Sequence, residues 1–139
     1  MSEFSGVVFA GLDDTQRALL QLTWELLDAI HNGDVDTYAA LCTADLSCFE
    51  DVCSYRIDGV EFHLTLMHLM TKSPENKPAR FDMLSPRVQV YGDTGIVTYT
   101  RLMTYESGGS ARFSTFNETR VYVRLEGSWK MAHFHRSLT

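Results

Sequence analysis

One stretch decides the fold of this chain: Gly127-Ser128-Trp129-Lys130-Met131-Ala132-His133-Phe134-His135-Arg136-Ser137. Its residues alternate with period two, which predicts a β-strand. One side of this strand carries Trp129, Met131, His133 and His135. The other side carries Lys130, Ala132, Phe134 and Arg136. An arginine at the inner end of a mostly apolar strand is unusual on a solvated face, so we predict that Arg136 points into the protein.

Two further arginines stand inside strand-like runs upstream, Arg101 in VTYTRLMTY and Arg120 in NETRVYVRL. We therefore predict that three strands of one sheet each direct a guanidinium into a common cavity. Arg120 is expected to matter most, because it lies mid-strand with the other two arginines on flanking strands. Glu118 stands two residues before Arg120, on the same face, and is its nearest acid in sequence.

The composition is that of one ordinary globular domain. The chain has 139 residues, 45% hydrophobic and 22% charged, which is enough to bury a core without disulfides or a metal. The net charge of −6 argues against nucleic acid or an anionic membrane as partners. No apolar run reaches the roughly 18 residues of a membrane span, and no signal peptide is visible. Cys42, Cys48 and Cys53 lack metal-type spacing and fit reduced thiols, so we expect a cytoplasmic protein without cofactors.

Helical signals come first along the chain. Asp13 or Asp14 can cap a helix that runs to about Ile30, and this helix is apolar around most of its circumference. Either it lies in a groove, or part of it is an oligomer contact. The segment 31–34 ends this helix and caps a second one. The elements predicted next are a helix over 35–42, a short strand over 46–50, a turn over 55–59 and a helix over 60–70.

From residue 79 the pattern changes to period two. Strands are predicted at 79–91, 96–106, 111–126 and 128–137, separated by glycine-containing hairpin turns. Helices followed by a meander of antiparallel strands indicate an α+β domain with the helices on one face of the sheet.

Six segments arrive in a recognisable order: HNGDVDTY, CFED, IDGVEFH, YGDTGIVTYTRLMTY, NETRVYVRLEGSWK and HFHRS. Together, from about Asp14 to Ser137, they resemble the association (hub) domain of calcium/calmodulin-dependent protein kinase II. This resemblance implies the nuclear transport factor 2-like fold, a cone in which a curved antiparallel sheet wraps a long helix and encloses a pocket. It also implies a tail over 1–12 and a hub-like domain over 13–139. We expect the apolar tail segment Val7-Val8-Phe9 to dock on the domain or on a neighbouring subunit.

The resemblance implies self-association as the main function, as a double ring of roughly a dozen identical subunits. A protein kinase or a calmodulin-linked protein is a further expected partner. The chain has no glycine-rich nucleotide loop, no HRD segment and no DFG segment, so we expect a non-enzymatic hub-like protein with no catalytic residue. It is either a stand-alone protein, which we favour, or a piece of a longer one.

The resemblance also assigns a pocket, residue by residue. Arg101, Arg120 and Arg136 match the pocket arginines of the family. His63, in EFH, matches its pocket histidine, and Glu50, in CFED, falls where the family has a glutamate. The vertebrate members place a tryptophan shortly after the third helix, where this chain has Met70, Thr71 and Lys72. We therefore expect the pocket mouth to be remodelled.

Buried guanidiniums need anions, and the sequence leaves two ways to supply them. Either the internal acids Glu50, Glu118 and Asp82 neutralise the arginines, or some donors remain free for a small carboxylate or a peptide segment. We expect a mixture, with Tyr99 as part of the cavity lining.

Two alternatives carry less weight. His133 and His135 share a strand face, but no carboxylate or cysteine nearby in sequence completes a metal site, so a structural role is favoured. The alternative function is a small-molecule enzyme of the same superfamily, an isomerase or dehydratase with a buried acid as its base. Neighbouring arginines lower the basicity of such an acid, which favours the non-enzymatic hypothesis.

Overall fold

A computed structural model describes residues 11–73 and 77–139 of the chain. The elements in order are α1 (Asp14–Asn32), α2 (Val35–Ala40), β1 (Cys42–Phe49), β2 (Ile57–Asp58), α3 (Glu61–Thr71), β3 (Arg80–Tyr91), β4 (Thr94–Ser107), β5 (Ser110–Leu125) and β6 (Ser128–Leu138). The predicted tail segment Val7-Val8-Phe9 lies outside the described residues. Among the described helices, none has the length and apolar character that crossing a membrane requires.

The strands form one six-stranded sheet in the order β2-β1-β6-β5-β4-β3. Neighbouring strands are antiparallel except β1 and β6, which run parallel. The predicted α+β class is confirmed, since the described residues form three helices and a largely antiparallel sheet. Strand β5 lies between β4 and β6, so the strands of Arg101 and Arg136 do flank the strand of Arg120.

Helix α1 begins and ends where the sequence predicts capping. Asp13 and Gln16 form a reciprocal capping box, and Gly33 closes the helix in the left-handed conformation at φ 67°. The apolar circumference of the helix is largely buried, including Leu19, Leu20, Leu26 and Leu27. The helix packs against β3, β4 and α2, so its position in a groove accounts for the wide apolar face.

The segment around β1 differs most from the predictions. The second helix ends at Ala40, and β1 begins at Cys42 instead of residue 46. The predicted turn over 55–59 contains β2, which pairs with β1 through Ser47 and Asp58. These differences have one cause: β1 gains partners on either side, including Met131 opposite Cys42, and pairing over such separations leaves no local signal.

The final strand carries a β-bulge that changes its predicted faces. Val121 pairs with His133, but the next residue, Tyr122, pairs with Met131, which leaves Ala132 as the extra residue. Met131 and Phe134 are therefore both buried in the core. The prediction that Met131 and His133 share one side is wrong, because strict alternation does not survive the bulge.

Candidate functional site

The three arginines meet at one end of the inner face of the sheet. Arg101 lies on β4, Arg120 on β5 and Arg136 on β6, and all three line a cavity of about 190 Å³. Glu50 and His63 line the same cavity. Its other walls include Tyr38, Asp51, Leu66, Met67, Met70 and Phe134. The structure therefore brings together five of the seven predicted site residues as lining.

Glu118 and Tyr99 lie beneath this lining and connect the arginines. One oxygen of Glu118, Oε1, lies 3.1 Å from Arg120 Nη2. The other, Oε2, lies 3.5 Å from Arg101 Nη1 and 3.7 Å from Arg136 Nε. The hydroxyl of Tyr99 donates to Glu118 Oε1 at 2.5 Å. A single buried carboxylate is thus shared by three guanidiniums.

The charge of Glu118 is fixed by these neighbours. Burial acts to raise its pKa, but the nearby Arg120 and Arg101 outweigh burial and lower the pKa to about 2. Glu118 is therefore ionised at neutral pH although its side chain is fully buried.

Arg120 is committed to the interior. Its Nε donates to Tyr99 Oη at 2.7 Å, its Nη2 to Glu118 at 3.1 Å and its Nη1 to Met131 Sδ at 3.3 Å. Its guanidinium also lies 4.8 Å from the ring centroid of Phe134. Three of the five N–H donors of Arg120 thus have partners inside the protein, and the expectation that Arg120 matters most for binding stays a prediction.

Arg101 and Arg136 retain unused donors. The Nε atoms of both are buried, and neither has a hydrogen-bond partner within residues 11–73 and 77–139. The Arg101 side chain is only 3% exposed, whereas that of Arg136 is 20% exposed and packs over the Phe116 ring at 3.7 Å. Arg101 and Arg136 therefore stand beside Arg120 as candidates for contacts with a ligand.

An acidic wall faces Arg136. His63 Nε2 donates to Glu50 Oε2 at 3.2 Å, while Glu50 Oε1 lies 3.9 Å from Arg136 Nη1 and has no hydrogen-bond partner in the described chain. Asp51 Oδ1 lies 3.4 Å from Arg136 Nε. Burial acts to raise the pKa of Glu50, but the His63 hydrogen bond and the charge of Arg136 lower it overall. Burial raises the pKa of Asp51, with Arg136 opposing and Glu50 adding to the rise.

Asp82 is not part of the network, so its prediction as an internal counter-ion is wrong. It pairs with Arg80, two residues away on the edge strand β3, at 2.6 Å. Asp82 pairs with Leu102, the neighbour of Arg101 on β4, so it lies on the opposite face of the sheet from Arg101. Its place as counter-ion is taken by Asp51.

Sequence reasoning missed Asp51 and Tyr38 as lining residues. Adjacent strand residues face opposite sides, so Asp51 would not be placed beside Glu50. Strand β1 ends at Phe49, and the turn that follows directs both acids to the cavity. Tyr38 lies on the short helix α2, where no pattern distinguishes a cavity residue from a core residue.

The histidines of β6 contact protein groups. His133 Nδ1 is 2.8 Å from Ser47 Oγ, and the His133 and His135 rings lie 6.0 and 5.4 Å from the Phe49 ring. In the described part of the chain, no three His, Cys, Asp or Glu side chains form a group that could hold a metal ion. In the described chain both imidazoles pack against other side chains.

An isomerase-like site needs a cavity acid without a cationic neighbour. Among the described acids that line or underlie the cavity, Glu118 contacts three arginines, and Glu50 and Asp51 each contact Arg136. The arrangement suits the binding of a charged group better than proton abstraction.

A curved sheet that wraps a long helix and encloses a polar cavity defines the nuclear transport factor 2-like class. The structure matches a nuclear transport factor 2-like protein from Cytophaga hutchinsonii with a TM-score of 0.74, at 19% identity, over 92% of this chain and 100% of that chain. At this identity the likeness shows the fold alone.

Residues 15–139 match the calcium/calmodulin dependent protein kinase II association domain family, and the chain belongs to this family. The resemblance stated from the sequence is therefore confirmed. Among curated proteins, the delta subunit of calcium/calmodulin-dependent protein kinase type II from Oryctolagus cuniculus is 34% identical over 126 residues. That match covers 88% of this chain and 23% of the relative, so the chain spans less than a quarter of the relative's length.

Solved hub structures agree with the family. The CaMKII hub of S. rosetta matches with a TM-score of 0.80 at 30% identity, over 92% of this chain and 99% of that chain. The association domain of C. elegans CaMKII matches with a TM-score of 0.77 at 30% identity, over 90% of this chain and 99% of that chain.

Proposed function

We propose that this chain is a non-enzymatic assembly module that forms a large closed ring of identical subunits, a double ring of roughly a dozen. The observation that carries the proposal is the family match, which extends over residues 15–139 and so includes every described helix and strand except the first residue of α1. A protein kinase or a calmodulin-linked protein is the proposed further partner, since one curated relative is a calcium/calmodulin-dependent protein kinase subunit of which this chain covers only 23%.

Light scattering coupled to size-exclusion chromatography tests the assembly. The proposal expects a particle many times heavier than the 15.8 kDa chain, unchanged on dilution through the micromolar range. A monomer or a simple dimer near physiological salt would contradict it.

We also propose that the cavity binds the carboxylate of a small ligand or peptide. The Nε atom of Arg101 supports this proposal, because it is buried without a hydrogen-bond partner in the described chain and a charge-assisted hydrogen bond to a carboxylate would satisfy it. A cavity of about 190 Å³ has room for on the order of six water-sized groups. The expected ligand is therefore a short one, or the end of a peptide.

Calorimetric titration with short-chain carboxylates tests this site. Arg101→Lys keeps the charge but loses the planar fork of the guanidinium, so we expect weaker binding by roughly 1.5–3 kcal/mol. Arg124→Lys is the matched control, because Arg124 pairs with Asp93 on the exposed surface. Absence of heat and of thermal stabilisation at millimolar carboxylate would show that the network is internal ion pairing only.

A further inference from the structure

The sheet has a long edge at β3. This strand has 12 residues and is the last in the order of the sheet, so within the described residues it pairs with β4 alone. Such an edge presents a row of backbone N–H and C=O groups to other chains, and proteins usually cover or interrupt it. A bulge with Pro86 interrupts β3 between Leu84 and Arg87. Residues 87–91 contain neither a proline nor a bulge.

The backbone groups of Val88 and Val90 point away from β4. The hairpin between β3 and β4 has a two-residue turn, which makes the closing residue Tyr91 a hydrogen-bonded partner of β4. Because bonded and non-bonded pairs alternate along an antiparallel ladder, Gln89 is also bonded to β4, whereas Val88 and Val90 are not. A side-chain contact agrees with this alternation, since Gln16 Nε2 donates to the carbonyl oxygen of Val88 at 3.3 Å.

The chain enters α1 beside this edge. Gln16 lies in the first turn of the helix, so its contact holds the start of α1 next to Val88. Leu12 packs against the hydrophobic core, and Gly11 has a left-handed conformation at φ 80°, which permits a sharp change of direction. The segment that precedes Gly11 is therefore joined to the domain within a few residues of the free edge of β3.

The sequence of that segment is typical of a strand. Val7, Val8 and Phe9 are of the β-branched and aromatic types that are enriched in strands. Residues 1–10 contain no proline and only one charged side chain, that of Glu3. The residues nearest to Gly11 therefore carry no charge that opposes burial.

We propose that residues 7–10 add a further strand to the six-stranded sheet and pair with residues 87–91 of β3 in the same chain. This pairing gives hydrogen-bond partners to the free-edge groups of Val88 and Val90. The segment thereby covers an edge that would otherwise accept a strand from another chain. The inference depends neither on the proposed ring nor on the proposed carboxylate site.

Hydrogen exchange of the full chain, measured residue by residue by mass spectrometry, tests this pairing. In the parent we expect the Val90 amide to exchange as slowly as the Gln89 amide, although β4 provides a partner only for Gln89. A Val90 amide that exchanges freely in the parent would overturn the inference, because the edge would then be open.

Proline variants assign the protection to the segment. Alternate residues of an added strand bond to β3, so either Val7→Pro or Val8→Pro removes a bonded N–H. In that variant the Val90 amide should exchange about tenfold faster, the effect of losing roughly one hydrogen bond, and the Gln89 amide should keep its rate. Ser2→Pro is the matched control outside the paired residues and should exchange like the parent. Protection of Val90 that survives both variants would contradict the inference.

A mixing experiment distinguishes pairing within one chain from pairing between subunits. The proline variant that loses protection would be isotope-labelled and refolded together with an excess of unlabelled parent. We expect the Val90 amide of the labelled chains to remain unprotected. Restored protection would show that the segment of one subunit pairs with β3 of its neighbour, which overturns the assignment to the same chain. Thermal unfolding verifies that each variant is folded, and exchange in the parent decides on its own if a variant is not.

Discussion

The inner face of the sheet has two halves that are built from the same strands. In the packed half, Gly95 of β4, Tyr122 of β5 and Met131 of β6 form one row of cross-strand partners against Leu19 of α1. In the charged half, the corresponding row of cross-strand partners consists of Tyr99 of β4, Glu118 of β5 and Arg136 of β6. This row is next to the one that contains Arg120. A shift of four residues along each of β4 and β5 replaces apolar packing with buried ions.

The difference separates the residues that stabilise the fold from the residues that are available for binding. Apolar packing stabilises in proportion to the area that it buries. Buried ion pairs are often no more stable than well-packed apolar residues, yet removal of one partner is costly. The charged half is therefore not explained by stability, which supports a binding role for it.

The largest effect is expected from Glu118→Ala in the charged half. The substitution leaves Arg101 and Arg120 buried without their shared carboxylate, and loss of one member of a buried pair costs about 3–5 kcal/mol. Urea unfolding at fixed protein concentration measures the loss. A decrease of less than about 1 kcal/mol in the free energy of unfolding would mean that water solvates both guanidiniums, which would contradict their burial.

Acid should weaken the charged half selectively. The pKa of Glu118 is about 2 in the folded protein against an ordinary value of 4.5. Because the folded pKa is the lower one, this stabilisation is present above pH 4.5 and is lost as the pH falls toward 2, on the order of 3 kcal/mol in total. Asp51 acts in the opposite sense, since its pKa is raised.

Denaturant unfolding across this pH range measures the effect of acid. Glu118→Gln, which does not titrate, should show a shallower dependence on pH than the parent between pH 4.5 and 2. Parallel curves for the two proteins would contradict the assignment of the lowered pKa.

A smaller loss is expected from Gly95→Ala in the packed half. A Cβ atom at this position would lie 2.4 Å from Leu19 Cδ1, so the helix or the side chain must move. Overpacking of this kind costs about 1–3 kcal/mol. Thermal unfolding would detect it, and an unchanged melting temperature would show that Leu19 has space to rotate away.

The smallest effect is expected from Asp93→Asn on the surface. Asp93 pairs with Arg124 at 2.9 Å, a distance similar to those of the buried network, but its side chain is 71% exposed. Solvent-exposed pairs contribute at most about 1 kcal/mol. Urea unfolding of Asp93→Asn and Glu118→Ala compares the loss of an exposed ion pair with the loss of a buried one. Equal losses in the free energy of unfolding would contradict the role that we assign to burial.

The two halves also differ in how far the sequence predicts them. Strand alternation placed Glu118 and Arg120 on one face, and the capping residue Asp13 and the glycine Gly33 gave the bounds of α1 to within two residues. These features depend on neighbours in sequence. The bulge at Ala132 and the start of β1 at Cys42 depend on distant partners, so local patterns could not show them.

The sequence predicted which side chains lie at the cavity, but it did not predict the hydrogen bonds and ion pairs that they form. Alternation brought the arginines to one cavity, and the family resemblance supplied His63 and Glu50. Only the side-chain geometry shows that Arg120 donates hydrogen bonds to Tyr99, Glu118 and Met131. Asp51 enters through a turn that has no periodicity, which is why no pattern predicted it.

The thermal shift caused by a ligand tests most directly whether binding and stability lie in different halves. Gly95→Ala and Arg101→Lys would be unfolded with and without a short-chain carboxylate at millimolar concentration. We expect Gly95→Ala to melt at a lower temperature and to keep the full ligand-induced shift. Arg101→Lys should lose most of that shift. A full shift in Arg101→Lys, or its loss in Gly95→Ala, would contradict the division.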